Sequence, residues 1–151
     1  MNDRYLYHAK RVDTGEWVEG SLVTGVFFRL GQEIPYMFCP DLADYDCFED
    51  FSEENGIFEV EPSTICQCTG LKDKNGRLIW ENDIVNGSIK RGAAFYGCLV
   101  LWNECKARFD VRAFGCNFPM TLDECTDDIS MSGFDYEVVG NKFDHPELLE
   151  V

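Results

Sequence analysis

The chain has 151 residues, with 13 Lys and Arg against 28 Asp and Glu, so its formal net charge is −15. This length favours one domain with its own hydrophobic core, and a hydrophobic share of 45% excludes wholesale disorder. The charge opposes direct binding to nucleic acid or to anionic lipid. No apolar run approaches the roughly 20 residues that span a bilayer, and residues 2–4 do not open a signal peptide. The composition therefore predicts one acidic, cytoplasmic domain over residues 1–151 and assigns it no activity.

The first forty residues alternate apolar and polar side chains with the period of a β-strand. Residues 4–12 and 16–23 predict a β-hairpin around a turn at residues 13–16. The short apolar runs 26–30 and 35–39 predict a second hairpin, with residues 31–33 as its loop.

The centre of the chain contains the clearest turn signal. Asn75-Gly76 predicts a tight type I′ turn, because both residues tolerate the positive φ that this turn requires. The strands beside it are expected to end near Lys74 and to begin near Arg77. Residues 41–56 are polar and acidic and predict a loop.

The C-terminal third continues the same pattern. Residues 95–102 and 107–114 predict a hairpin, residues 137–143 a last strand, and Pro146 the start of a short helical turn. The fold class expected from the whole chain is mainly β. Short-stranded hairpins would form a small barrel-like domain, for which an SH3-like barrel is one form, with a minor helix near the C-terminus.

Three blocks of sequence carry a resemblance to a known family. They are KRVDTGEWVEG at residues 10–20, the stretch from PSTICQCTGLKDKNG to ENDIV at residues 62–85, and EVVGNKFDHPELL at residues 137–149. Together they resemble the YopX family of phage and prophage proteins. The chain departs from the family pattern at Asn82, where a glycine is usual, and in its number of cysteines.

The resemblance implies a phage or prophage origin, a β-rich fold and a tendency to form large homo-oligomers. It implies no reaction, because the family brings no established activity to carry over. We therefore assign no catalytic, cofactor-binding or metal-binding residue from it.

Eight cysteines, at positions 39, 47, 66, 68, 98, 105, 116 and 125, raise the question of zinc or disulfides. A zinc site is expected to show paired CxxC knuckles, or CxxC followed by paired histidines. The one close pair is Cys66 and Cys68, and the two histidines, His8 and His145, lie at opposite ends. We expect eight reduced, metal-free thiols, with a metal site and disulfides as the weaker alternatives.

Residues 41–61 contain nine carboxylates and no Lys or Arg. A calcium loop needs a glycine at its sixth position, but counting from Asp41 gives Asp46 and counting from Asp44 gives Glu49. We expect a solvated loop here, with a metal-carboxylate site and an anionic recognition surface as alternatives.

Catalytic signatures are weak throughout the chain. Neither His8 nor His145 has a nucleophile at a recognisable spacing, so both are expected to be structural or surface residues. Neither GxGxxG nor GxxxxGK[ST] occurs. We predict that the protein is not an enzyme and uses no cofactor.

The charges are unevenly distributed along the sequence. Residues 71–112 carry a net charge of +3, which leaves −18 on the remainder. Such a division permits ordinary solubility, or pairing between neighbouring subunits. We predict a homo-oligomeric accessory protein that binds a host or phage protein. The alternatives are an acidic DNA mimic that inhibits a host DNA-processing protein, and an enzyme without a sequence signature.

Overall fold

A computed structural model of the chain describes residues 5–43, 55–89, 94–113, 120–122 and 134–149. The chain divides into two compact units, unit 1 (Met1–Gln67) and unit 2 (Cys68–Val151). The expectation of one domain over residues 1–151 stays a prediction. Short 3-10 helices occupy Pro62–Thr64 and Pro146–Leu149. The strands are β1 (Tyr7–Lys10), β2 (Trp17–Arg29), β3 (Gln32–Ala43), β4 (Asn55–Glu59), β5 (Cys66–Lys72), β6 (Leu78–Trp80), β7 (Asp83–Ile89), β8 (Ala94–Asn103), β9 (Arg108–Arg112), β10 (Met120–Thr121) and β11 (Phe134–Asn141).

The first sheet is antiparallel, in the order β4-β3-β2-β1-β5-β6, and its strands from β4 to the start of β5 belong to unit 1. β1 lies between β2 and the start of β5, with Tyr7 opposite Gly20 and His8 opposite Cys66. Gly20 allows β2 and β3 to approach closely, because a Cβ there would lie 2.0 Å from the carbonyl oxygen of Phe38. The base of the β2–β3 hairpin therefore requires a glycine.

The core of unit 1 follows the alternation of its strands. Val18 and Gly20 are buried on β2 while Glu19 and Ser21 are exposed, as expected for a strand with one face against a core. The same alternation on β3 buries Met37 and Cys39, so neighbouring strands contribute to one apolar cluster. Its buried members are Ala9, Val18, Met37, Cys39, Phe58 and Val60.

Unit 2 contains a five-stranded antiparallel sheet in the order β10-β9-β8-β7-β11. Val100 of β8 lies opposite Val111 of β9, and Val85 of β7 lies opposite Val138 of β11. All four side chains are buried, so the central strands form the core. The full set of buried apolar residues in it is Ile79, Val85, Cys98, Val100, Val111, Leu122, Tyr136 and Val138.

The prediction of a mainly β fold is confirmed, and the 3-10 helix Pro146–Leu149 agrees with the predicted minor helix. The expected barrel does not close among the described strands, because β4 and β6 are the terminal strands of one sheet and β10 and β11 those of the other. The strands form two antiparallel sheets with terminal strands, which a closed barrel would lack.

The hairpin predicted around Asn75-Gly76 is confirmed, but its loop is longer than predicted. β5 ends at Lys72 and β6 begins at Leu78, and these two residues are paired, so the loop comprises residues 73–77. The type I′ assignment is wrong, because φ is positive at Gly76 (81°) and not at Asn75.

The side chain of Asp73 accounts for this different turn. Its Oδ1 accepts hydrogen bonds from the backbone N–H groups of Asn75 and Arg77, both at 2.9 Å. The N–H of Gly76 donates to the Asp73 carbonyl at 3.0 Å, which closes a four-residue β-turn. Local capture of N–H groups by an aspartate competes with a two-residue turn, and here it prevails.

A two-residue turn with two positive φ angles occurs instead at Leu30-Gly31, where φ is 51° and 78°. Arg29 and Gln32 are paired on either side of it. The predicted loop at residues 31–33 was therefore wrong, since β3 already begins at Gln32.

Candidate interaction surface

The far end of the β2–β3 hairpin lacks strand neighbours in the part of the chain that the structure describes. β1 pairs with β2 from Trp17 to Gly20, and β4 pairs with β3 from Tyr36 onward. Beyond these limits, the two strands of the hairpin pair with each other through three residue pairs. We call residues 24–34 the arm; it is a two-stranded ribbon, and such ribbons are marginally stable alone in water.

One side of the arm presents apolar side chains to solvent. Val26 is 58% exposed and Phe28 is 63% exposed, and they share a side of β2 because they are two residues apart. Leu30 continues the series at the turn and is 100% exposed. On the other side, the rings of Phe27 and Tyr36 pack with their centroids 4.5 Å apart. The two sides therefore differ: one is packed through Phe27 against Tyr36, just beyond the arm, and the other is open.

Leu30 is an unusual residue for its position. A left-handed backbone costs a residue with a side chain roughly 1–2 kcal/mol, and Asn, Asp and Gly are the usual occupants. Leu30 has this backbone and makes no compensating burial of its side chain. Strain of this kind, combined with full exposure of an apolar group, is typical of a contact surface.

The charges of the arm balance. Arg29 and Glu33 are its charged residues, so residues 24–34 carry no net formal charge. The guanidinium of Arg29 lies 3.2 Å from the carboxylate of Glu59, and the carboxylate of Glu33 accepts a hydrogen bond from the Gly25 N–H. In a chain of net charge −15, the arm is thus a neutral, apolar segment.

Unit 2 contains buried carboxyl groups, among them Asp73 and Asp83, of the kind from which catalytic pairs are built. Asp73 is 4% exposed, and its Oδ2 accepts a hydrogen bond from the Val138 N–H at 3.1 Å. Both of its oxygens are therefore engaged by backbone donors. These hydrogen bonds hold the 73–77 loop in place. Neither oxygen of Asp73 is therefore free of backbone donors and available for a substrate.

Asp83 is the buried carboxyl with the more unusual acidity. The pKa of Asp83 is raised to about 7, chiefly by burial and to a smaller extent by the charge of Asp73, and against the lowering effects of the Trp80 N–H and Arg77. Its Oδ2 accepts the Trp80 N–H at 2.8 Å. An acid of pKa near 7 suits proton transfer, but this one is committed to the turn between β6 and β7.

The same turn explains the departure at Asn82. Its φ is +68°, which glycine adopts without strain and which asparagine tolerates better than most residues. The Asn82 N–H donates to the Val100 carbonyl at 2.8 Å, and its own carbonyl accepts the Lys142 N–H at 3.0 Å. The asparagine therefore preserves the backbone that a glycine would provide.

The two histidines occupy separate, structural positions. The ring of His8 packs on that of Trp17 with centroids 4.5 Å apart, and burial lowers the pKa of His8 to about 4. The Nδ1 of His145 accepts the Asn141 N–H at 3.4 Å, and its ring fills the space beside Gly140. Each histidine thus has a packing role.

The cysteines are distributed through both units. Cys39, Cys66, Cys68 and Cys98 are buried, and Cys105 is exposed. Cys66 and Cys68 alternate on β5, as core-facing strand residues do, and the Cys66 thiol donates to the Thr64 carbonyl at 3.3 Å. Cysteines 47, 116 and 125 lie outside the described residues, so the expectation of eight reduced thiols stays a prediction.

The acidic stretch is described only in part. The loop predicted over residues 41–56 was wrong at both ends, because residues 41–43 belong to β3 and residues 55–56 to β4. Residues 44–54 lie outside the described residues, so the solvated-loop interpretation there and its alternatives stay predictions. Across the described ranges, no three His, Cys, Asp or Glu side chains converge as a metal site would require. Within those ranges, too, no helix has the length and apolarity needed to cross a membrane.

Some of the basic side chains in residues 71–112, the segment of net charge +3, form ion pairs within unit 2. Arg108 lies 2.8 Å from the buried Asp110, and Lys74 lies 3.1 Å from Glu137. Asp110 also accepts from the Asn103 amide at 2.7 Å, beside a shallow cleft of about 240 Å³. Lys90 and Arg91 lie outside the described residues.

The molecule is thus a mainly β protein of two antiparallel sheets, with an arm whose apolar side is exposed. A family model described as YopX protein matches residues 30–150, and the chain belongs to the YopX family. The matched range contains two of the three blocks on which the resemblance rests, 62–85 and 137–149. The family indicates a phage-associated protein. Comparison with curated proteins gives no match.

Proposed function

We propose that this phage-associated protein works without a catalytic step, as a homo-oligomer larger than a dimer that binds a host or phage protein in the host cytoplasm. The observation that carries the proposal is the open apolar side of the arm, with Val26, Phe28 and Leu30 exposed on a segment of no net charge. Exposed apolar patches of this kind mark interaction surfaces in monomers and assemblies alike.

Electrostatics favours the arm as the contact between copies. Each copy carries −15, so charge repulsion opposes association wherever the acidic surfaces meet. The arm avoids this cost, and burial of a side chain such as Phe28 contributes roughly 1.5–3 kcal/mol. Apolar burial can therefore drive assembly while the charges elsewhere set orientation.

The hydrogen bonds made by the buried carboxylates support a non-catalytic role. Asp73 holds backbone N–H groups of its own loop and of β11, while Asp110 holds Arg108 and Asn103. Polar groups engaged in this way stabilise the fold, and a catalytic group would need an accessible partner for its substrate.

Multi-angle light scattering at 0.15 M salt and micromolar concentration tests the assembly. We expect a mass above that of two 17.3 kDa chains for the unmodified protein. The double substitution Phe28→Glu and Leu30→Glu should reduce this mass, because it places charge on the apolar side of the arm. Val12→Glu is the matched control, since Val12 is 52% exposed in unit 1 but lies outside the arm.

Two outcomes would contradict the proposal. A mass of one chain for the unmodified protein would reject the oligomer and favour the acidic DNA mimic, which should bind basic DNA-processing proteins with steep salt dependence. An unchanged mass for the arm variant, or an equal loss in Val12→Glu, would reject the arm as the contact.

A further inference from the structure

The sheet of unit 2 ends in two strands of very different length. β10 has two residues, whereas β11 has eight, from Phe134 to Asn141. A long terminal strand exposes a row of N–H and C=O groups that can pair with a strand from another chain. Short length protects the β10 edge, so β11 needs another form of protection.

Part of the β11 edge is occupied by the 73–77 loop. The Lys74 N–H donates to the Tyr136 carbonyl at 2.9 Å, and the Val138 N–H donates to Asp73 Oδ2 at 3.1 Å. The Arg77 guanidinium reaches the Val138 carbonyl at 3.5 Å. These backbone groups of β11 belong to alternate residues, as do the groups that point to one edge of a strand.

We infer that residues 73–77 act as an edge cover that prevents β11 from pairing with the same edge of a second copy of this chain. The loop offers β11 one backbone donor, at Lys74, and one carboxylate acceptor, at Asp73. An added strand would supply the same donor and acceptor types to the Tyr136 carbonyl and the Val138 N–H. While the cover is in place, these two groups are satisfied.

The strength of the cover lies in its buried hydrogen bonds. Asp73 is 4% exposed, so its charge-assisted bond to the Val138 N–H is shielded from water. The ion pair between Lys74 and Glu137 is by contrast half exposed on both side chains, and such pairs contribute little. The backbone N–H of Lys74, and not its ammonium group, is the part that should matter.

Two substitutions at one position separate these contributions. Lys74→Pro removes the donor to Tyr136 while retaining a residue that β-turns favour at this second position. Lys74→Gln removes the ion pair and keeps the N–H. Both are placed in the Phe28→Glu and Leu30→Glu background, so that contact through the arm does not mask contact through the edge.

We expect Lys74→Pro to gain mass with increasing concentration in light scattering, and Lys74→Gln to keep the mass of its background. Equal masses for the two would overturn the inference. This holds whether the arm variant is a monomer or not, so the test is independent of the proposed function.

A second variant guards against a general loss of stability. Asp73→Ala should accelerate hydrogen exchange of the Val138 amide by about tenfold or more at low protein concentration, and should promote association at high concentration. Val111→Ala, in the core of unit 2 and away from β11, is the destabilised control. Association of Val111→Ala to the same extent, or a protected Val138 amide in Asp73→Ala, would show that the loop is not a cover.

Discussion

The arm of unit 1 and the β11 edge of unit 2 treat unpaired surface in opposite ways. The arm leaves Val26, Phe28 and Leu30 open to solvent, whereas the edge has its Tyr136 carbonyl and Val138 N–H bonded to the 73–77 loop. Apolar side chains can select a partner by shape, but an open backbone edge pairs with almost any strand. At these two places the chain therefore exposes apolar side chains on the arm and covers backbone groups at β11.

The base of the arm gives the largest expected effect. Gly20→Ala would place a Cβ 2.0 Å from the Phe38 carbonyl oxygen, so β2 and β3 must separate. We expect a loss of more than about 3 kcal/mol in the free energy of unfolding, measured by urea denaturation. Gly31→Ala, at the arm tip, meets no atom within 4 Å but has φ +78°, and should cost about 1 kcal/mol. Similar losses for both would contradict the close approach at Gly20.

Asp83 gives the next largest effect, and it depends on pH. Burial raises its pKa from 3.8 to about 7, so between these values the folded protein retains a proton that the unfolded chain has lost. The contribution of Asp83 to stability is therefore greatest below pH 4, falls as the pH rises to 7, and is constant above that. The full change is at most about 4 kcal/mol.

Asp83→Asn tests this sign directly. The amide carbonyl can still accept the Trp80 N–H, but it carries no charge at any pH. The difference in unfolding free energy, variant minus unmodified protein, should rise between pH 4.5 and pH 7.5 in urea titrations. Glu147→Gln, an exposed carboxylate of the same unit, should show no such rise. A constant difference for Asp83→Asn would reject the raised pKa.

Substitutions in the edge cover, residues 73–77, should give an intermediate loss of stability. Gly76→Val should cost roughly 1–3 kcal/mol, because a β-branched residue is penalised at φ +81°. Asn75→Val introduces the same side chain at a residue without positive φ, and should cost less than half as much. Melting temperatures of the two variants suffice; equal losses would restore the type I′ assignment that the structure rejects.

A substitution at the arm tip should give the smallest change in stability, and it distinguishes an effect on stability from an effect on assembly. Leu30→Asn replaces a fully exposed leucine at φ 51° with a residue that tolerates this backbone. We expect a gain of about 0.5–1 kcal/mol in stability together with a lower assembled mass. A variant that loses stability, or that assembles as before, would show that Leu30 is at the tip for another reason.

The strands were largely predictable from sequence, because alternation carries the burial pattern. Val18 with Gly20 on β2, and Cys66 with Cys68 on β5, face the interior at the period-2 spacing. The conformations of the turns at Leu30-Gly31 and at residues 73–77 were not predictable. Residue propensity placed the two-residue turn at Asn75-Gly76, where the structure has a longer loop. Leu30-Gly31 adopts the two-residue turn against propensity, and Asp73 diverts Asn75-Gly76 into a larger loop.

The candidate surfaces depend on contacts that local sequence does not encode. The contact between Asp73 and Val138 joins residues 65 positions apart, and no local pattern indicates it. The openness of the arm likewise depends on where β1 and β4 stop pairing. Asn82 is the exception, since the glycine usual in the family at this position is a local signal that could have indicated its left-handed backbone.

The distance along the chain between the loop and β11 also has a consequence for the order of folding. The hairpin of β5 and β6 needs only neighbouring residues, and can form once Trp80 has been synthesised. Its contacts with Tyr136 and Val138 must wait for the last strand, as must the pairing of β7 with β11. During synthesis there is therefore a stage in which the edge of β7 that later pairs with β11 is not yet paired. Such non-local pairing predicts slow folding, and places the greatest risk of intermolecular pairing before the C-terminal strand is complete.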